Sequence, residues 1–468
     1  MVIRILCAAA ALVAAAVSAQ SPAARAVSYE EAAPIVEQIS RDALPDALRR
    51  LAPGDRRRAW PGWVLERDRA IRARLTSGDE DSIVNLLLFG VSFTREPRLT
   101  ERELASGLGQ RRDVVNRRID ALIAAAVNPV SSDRLTFVRA VLDASGADVS
   151  TPGGQRRARV VLNALVDRYS RDVRTFVNAS ARGQGLATLF SDRGLSSDTS
   201  IYPGFALEQA LNALKSAGMM PAVQRVAVIG PGLDFVDKRE GLDIYPLQSI
   251  QPFALIESLL RLRLADAGSL QVTTFDLSPR VNQHLQAAVM RATREEGYRI
   301  ELPRVTGIEW TPALVEYWER FGDQIGDAVP PTAIPALAGS VTARAVRVRP
   351  ALVRLLSPRD LNVVLQRTDP SANGPSPGGP SPDSGQFDIV IATNTLIYYG
   401  QFEQSLALMN LAQMLRPGGW LFINDAAPAV ASIPLVPVGW TNLTYSSEAN
   451  SHDRLTWYQR SEPNRRKS

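Results

Sequence analysis

The sequence predicts an α/β fold: a mostly parallel sheet with helices on both faces, preceded by a helical N-terminal domain. Three observations predict it. After about residue 220, short β-branched runs alternate with helical segments. One of these runs, Val226 to Ile229, feeds straight into Gly230-x-Gly232. A late segment, Phe387 to Asp425, reads as strand, helix, the turn Leu415-Arg416-Pro417-Gly418-Gly419, and strand again.

The chain opens with Arg4, an apolar run from Ile5 to Val17, and the small-x-small triplet Val17-Ser18-Ala19. This pattern predicts a secretory signal peptide over 1–19, cut near Ala19-Gln20, and hence a periplasmic or extracellular protein. The alternative is an uncleaved anchor. The run is short for a hydrocarbon core of about 30 Å. Cleavage would remove Cys7, the only cysteine, which suits an oxidising compartment. With one cysteine and two histidines, His284 and His452, no metal site is expected.

Residues 28–200 read as helical. Val114, Val115, Ile119, Leu122 and Ile123 recur at helical spacing in 111–127, and Val160, Leu162, Leu165, Val166, Val173 and Phe176 do so in 155–178. Val84 to Val91 is too short to span a membrane and reads as a core helix, so no transmembrane helix is expected in the mature chain. Pro53-Gly54, Pro61-Gly62 and Pro152-Gly153-Gly154 are expected to punctuate the region. The formal charge of +5 is almost all arginine, and ten arginines crowd 41–74 among five acids. This composition reads as a solvated helical face laced with ion pairs. No stacking aromatics or nucleic-acid motif accompany it, so no nucleic-acid partner is expected.

In the α/β part, 201–468, strands are expected at Val226–Ile229, Val272–Phe275, Phe387–Ala392 and Trp420–Asn424. Helices are expected at Pro252–Leu264, Val281–Glu296 and Phe402–Leu415. Trp440–Tyr445 and Arg454–Gln459 read as a terminal hairpin. Two stretches interrupt the alternation. Residues 303–345 hold a helix, Ala313 to Phe321, and a Pro-rich connection. Residues 369–385 are rich in Pro, Gly and Ser and read as a surface loop.

The glycine turn permits tight chain reversal and close backbone approach to a nucleotide-like ligand. As a dinucleotide fingerprint it lacks the third glycine, where Phe235 stands. The strand VTTFD ends on Asp276, an acid placed to accept two hydrogen bonds from a ribose diol. It lies 44 residues past Gly232, whereas a dinucleotide unit needs about 20; an insertion at 234–251 would account for the excess. A helix-capping role for Asp276 stays open.

Together VAVIGPG, FDLS and LRPGGWLFIND resemble the class I S-adenosylmethionine-dependent methyltransferases, across roughly 200–460. NTLIYY through LRPGG is also locally similar to methyltransferases that esterify chemotaxis-receptor carboxylates. The resemblance implies a Rossmann-like sheet with an antiparallel last strand, and S-adenosylmethionine as cofactor. Gly230 and Gly232 would pass the cofactor's carboxypropyl and ribose portions, and Asp276 would hold the ribose hydroxyls. Asn394 would lie near the methyl group, with Tyr398 and Tyr399 either walling the acceptor pocket or simply packing as amphipathic aromatics. Asp234 either contacts the cofactor amino group or caps a helix. Asp360 or Asn362 is a candidate for the adenine amine, and His284 reads as structural or surface. The sequence departs from the family at Val228, where an acid is usual, and at Thr393, where the receptor-methylating relatives carry Arg. The acceptor, small molecule or protein, is not named by the sequence, nor is the oligomeric state. Two other readings remain: an exported binding protein that kept the fold without catalysis, and a nicotinamide-dependent oxidoreductase.

Overall fold

The computed structural model describes residues 24–129, 132–181, 194–236, 242–335, 338–368, 386–424, 426–447 and 452–461. The leader expected over 1–19 and the loop expected over 369–385 lie outside the described residues.

The chain begins with a short strand β1 (Ala24–Ala26) and helices α1 (Tyr29–Gln38), α2 (Pro53–Phe89), α3 (Arg112–Val127), α4 (Asp133–Ala144), α5 (Pro152–Ala181) and α6 (Tyr202–Ser216). The α/β part follows: β2 (Arg225–Ile229), α7 (Gln251–Arg261), β3 (Gln271–Asp276), α8 (Pro279–Ala292), β4 (Tyr298–Val305), α9 (Pro312–Arg320), β5 (Gly326–Val329), β6 (Val341–Val348), β7 (Leu356–Asp360), β8 (Gln366–Thr368), β9 (Phe387–Ala392), α10 (Gln401–Met414), β10 (Leu415–Asn424), β11 (Leu435–Thr444) and β12 (His452–Arg460).

Seven strands form the main sheet in the order β11-β12-β10-β9-β2-β3-β7. The five from β10 to β7 are parallel, while β12 lies antiparallel between β10 and β11. This is a Rossmann-like sheet closed by an antiparallel last strand. Period-2 alternation divides its residues between two cores. Val226, Val228, Ile389, Ile391, Trp420 and Phe422 face α6, α7 and α8. Ala227, Ile229, Val390, Ala392, Leu421 and Ile423 face α1, α10 and the first half of α2.

The ten sequence-read elements of the α/β part are present, but β10 and β11 each start five residues earlier than expected, and the expected turn Leu415–Gly419 is corrected: it forms the irregular first half of β10, with a register shift against β9 between Leu415 and Trp420. What the sequence reading missed is the antiparallel pair β1-β8 and a three-stranded sheet. Residues expected as a Pro-rich connection supply two of the three strands of an antiparallel sheet ordered β4-β6-β5. Pro303 sits inside β4 and masked the period-2 pattern there.

Of the three expected breaks in the helical region, two fall at helix starts and the third, Pro61-Gly62, is corrected. Pro53 and Pro152 open helices, where a missing N–H costs nothing. Pro61-Gly62 lies inside the 37-residue helix α2. Tertiary packing overrides the local signal there: Trp60 and Trp63 are buried against Phe402, and the Trp60 indole N–H donates to the Val27 carbonyl at 2.9 Å. Val160, expected on the apolar face of α5, is 70% exposed, because the buried stripe runs through Leu162, Leu165 and Val166. Phe176 lies where side chains are not described.

Helix α2 joins two cores. At about 1.5 Å per residue it is long enough to lie on the sheet with its first half. Its last turns, Ile83 to Phe89, then enter a helical cluster with α3, α4 and α5. Arginines of 41–74 meet carboxylates, as in Arg57–Glu30, Arg67–Glu403 and Arg72–Asp68. Among the described residues, no helix is long and apolar enough to cross a membrane.

Candidate functional site

A cleft of about 810 Å³, counted out to its open mouth, lies at the carboxyl ends of β2, β3 and β9. That is where the strand order reverses and where open α/β sheets bind ligands. Gly230, Gly232, Asp276, Asn394 and Tyr398, all singled out in the sequence, line it together.

The glycine turn follows β2. Gly230 has φ +66° and Gly232 φ +64°, a region that side-chain-bearing residues enter at a cost. Their bareness also serves protein neighbours. A Cβ on Gly230 would lie 2.8 Å from the Thr395 hydroxyl, and one on Gly232 would lie 2.5 Å from the Ser197 carbonyl oxygen. Gly230 is tied to β3 by its N–H, which donates to the Phe275 carbonyl at 2.8 Å.

Asp276 ends β3. Its carboxylate accepts the Ser278 N–H at 2.8 Å, and its backbone carbonyl accepts from the Asn282 side chain at 2.8 Å. Burial raises its pKa to about 6; the N–H groups of Ser278 and Gly232 and the charge of Arg280 pull it down, and Asp360 pushes it up. Asp360 is its register partner on β7, but its carboxylate pairs with Arg72 of α2 at 3.0 Å. Asn362 is fully buried and bonded to Asp68 at 2.8 Å. Of that segment, Leu361 and Val363 reach the cleft as apolar wall.

Asn394 follows β9 at φ +57°, and its N–H donates to the Asn424 side chain at 2.6 Å. Beside it, Thr393 accepts from Gln251 at 2.6 Å, and Thr395 donates to the Ile229 carbonyl at 3.2 Å. These two threonines lock the ends of β2, β9 and α7 together. The carbonyl of Tyr398 accepts from Arg74 of α2 at 2.9 Å, and Arg74 lies over the buried ring of Tyr399 at 5.7 Å. Burial raises the Tyr399 pKa.

Asp234 is corrected. It does not line the cleft: it is buried, and its carboxylate accepts from the Tyr245 hydroxyl at 3.0 Å and Gln248 at 2.8 Å. The insertion that carries it, 234–251, is clamped by Arg134 of α4, which donates to the carbonyls of Asp234, Phe235 and Tyr245. His284 is structural: it bonds the Tyr298 hydroxyl at 2.8 Å, and burial lowers its pKa to about 4.

Sequence reading missed the roof. Leu75 of α2 and the segment Leu195–Thr199 line the cleft from above. Leu195 donates to the Arg74 carbonyl at 3.1 Å, Leu233 to that of Ser197 at 2.7 Å, and Thr199 to that of Leu233 at 3.1 Å. The Asp198 carboxylate is held by Ser82 and Asn85 of α2, each at 3.0 Å. Gly78 lets the segment lie directly on α2, since a Cβ there would meet the Leu195 carbonyl oxygen at 1.9 Å. No local pattern marks these contacts, because those to the glycine turn join residues more than thirty positions apart and those to α2 more than a hundred. Among the described residues, no group of His, Cys, Asp and Glu could hold a metal ion.

No family model matches the chain, and no curated protein matches it. Among solved structures it is similar to the N-methyltransferase NodS from Bradyrhizobium japonicum with S-adenosyl-l-homocysteine: 14% identity, 55% of this chain, 86% of that one, TM-score 0.26. It is similar to the CurJ carbon methyltransferase: 14% identity, 87% of this chain, 98% of that one, TM-score 0.27. It is also similar to magnesium protoporphyrin IX methyltransferase from Synechocystis with bound S-adenosylmethionine: 12% identity, 55% of this chain, 80% of that one, TM-score 0.25. The chain's own strand order shows a Rossmann-like sheet with a glycine turn after β2 and an acid at the end of β3.

Proposed function

We propose that the chain transfers the methyl group of S-adenosylmethionine to an acceptor that enters the cleft past Asn394 and Tyr398. The observation that carries this reading is the convergence of the glycine turn, Asp276 and Asn394 at the switch point of the sheet. The residues present fit the cofactor. Asp276 would accept both ribose hydroxyls, Leu361, Val363 and Phe275 would offer apolar surface to a flat base, and Asp198 would add negative charge towards a cation, all of them lining the same cleft.

When bound, the cofactor supplies an electrophilic methyl group on sulfonium, transferred by in-line displacement. The chain's own contribution is positioning and exclusion of water. Orienting two reactants is worth on the order of 7–11 kcal/mol of barrier. The roof rests on the glycine turn, and Asn394, with its left-handed backbone, lines the cleft. Tyr398 forms wall there.

A thermal-shift assay tests the reading. S-adenosylmethionine and its demethylated product should each raise Tm, by about 2.7 kcal/mol of stabilisation at a hundredfold excess over Kd, and NAD should not. A shift with NAD alone would replace this reading with the oxidoreductase. Binding without turnover against any small-molecule or protein acceptor would favour the non-catalytic binding protein. Export after cleavage at Ala19-Gln20 belongs to the same proposal, and N-terminal sequencing of the secreted protein tests it.

A further inference from the structure

Arg280 lies in the first turn of α8, four residues past Asp276, behind the wall of the cleft. One of its nitrogens bonds Asp79 of α2 at 3.2 Å and the Ser197 hydroxyl of the roof at 2.9 Å. The guanidinium lies over Phe137 of α4 at 3.9 Å and near Phe235 at 5.1 Å. Its Nε and Nη1 are buried and make no hydrogen bond. A buried guanidinium with unsatisfied nitrogens is costly, and nearby carboxylates repay part of that through space. Asp79 pairs with it at 3.2 Å, and the charges of Asp198 and of Asp276, four residues before it, also favour its charged form.

We propose that Arg280 is a positioning residue of the cleft: it pins the roof and α2 to the α/β part and holds Asp276 as the carboxylate that a ribose diol requires. The inference rests on the S-adenosylmethionine reading. The charged groups facing this pair come from every neighbouring element. Asp360 on β7 opposes ionisation of Asp276, while the N–H groups of Ser278 and Gly232 favour it. Asp79 and Asp198 share the field of Arg280. Glu80 beside Asp79 is spoken for by Arg168, and His284, one turn along α8, is kept neutral by burial. Arg280 is thus a cation whose charge bears on Asp79 and Asp276 together.

The test is calorimetric titration with S-adenosylmethionine across pH 5–8, for wild type, Arg280→Met and Arg280→Lys. In wild type, affinity should fall as pH drops through about 6. In Arg280→Met that midpoint should rise by about one unit, the size expected from removing a nearby opposite charge. Arg280→Lys keeps the charge and should keep the midpoint, while losing affinity through a looser roof. A uniform loss of affinity with an unmoved midpoint in Arg280→Met would overturn the proposal and leave Arg280 a structural tie. A midpoint in Arg280→Lys as high as that expected of Arg280→Met would overturn it too, and the lysine variant decides the matter if the methionine variant does not fold. Carboxyl NMR titration of Asp276 without cofactor separates the two failures. Absence of binding by wild type sinks the cofactor reading, whereas an Asp276 titration unchanged by Arg280→Met or raised by Arg280→Lys sinks this one.

Discussion

Gly232 and Ser197 meet so closely that a single methyl group on the glycine would lie 2.5 Å from the serine carbonyl oxygen. The roof therefore rests on the glycine turn itself. The next residue, Leu233, seals the contact by donating its N–H to the same carbonyl at 2.7 Å.

Gly232→Ala should accordingly act twice, through strain at φ +64° and by lifting the roof. A destabilisation of about 1–3 kcal/mol is expected from the backbone alone, together with loss of cofactor affinity. Gly62→Ala, in the middle of α2 with open space around it, should instead stabilise by roughly 0.5–1 kcal/mol. Thermal unfolding of the two variants checks the contrast, and equal effects would contradict it.

Asp276 gives a pH prediction with a definite sign. Its folded pKa of about 6 lies above the ordinary carboxylate value of about 3.9. Its contribution to stability is therefore fully present below pH 4 and is lost as pH rises through about 6. Ligand binding runs the other way, because the ionised form accepts the ribose hydroxyls. Affinity should be full at pH 7.5 and weaken below 6, and Asp276→Asn should flatten that profile. Calorimetry at several pH values reads both.

Asp234 is expected to matter for folding rather than for the cofactor. Asp234→Ala removes the buried carboxylate that accepts from the Tyr245 hydroxyl and the Gln248 amide, at a cost of about 1–3 kcal/mol. Chemical denaturation should register that loss, while cofactor affinity of the folded variant stays within about threefold of wild type, well under the tenfold that 1.4 kcal/mol would bring.

Asn394 combines a conformation and a side chain, and two variants separate them. Asn394→Gly tolerates φ +57°, whereas Asn394→Ala does not do so freely, at a cost of about 1–2 kcal/mol. If the side chain positions the acceptor, both variants should lose methyl transfer and only the alanine should lose stability. Full activity in the glycine variant would remove Asn394 from the site.

The sheet was legible because its strands carry their own signals. Val226–Ile229 and Ile389–Ala392 are continuous apolar runs, as strands buried on both faces must be. The glycine turn and Asp276 were legible because strand ends announce themselves chemically. Asp234 misled because a carboxylate two residues past a glycine turn looks ligand-facing, and only tertiary structure reveals that Tyr245 and Gln248 occupy it. The motif that most strongly marks the resemblance, Leu415 to Gly419, lies at the other end of the sheet from the cleft. There Arg416 pairs with Asp388, whose carboxylate also accepts the N–H groups of Gln224 and Arg225. It reports the fold and not the chemistry. The roof and Arg280 were illegible, since each depends on residues far apart in the chain.

Calorimetric titration of residues 20–468 with S-adenosylmethionine at pH 7.5, beside Asp276→Ala, tests the central claim most directly. One-to-one binding in wild type, lost in the variant, is the predicted result. No binding in wild type, or equal binding in both, would contradict the assignment of the cleft as the cofactor site.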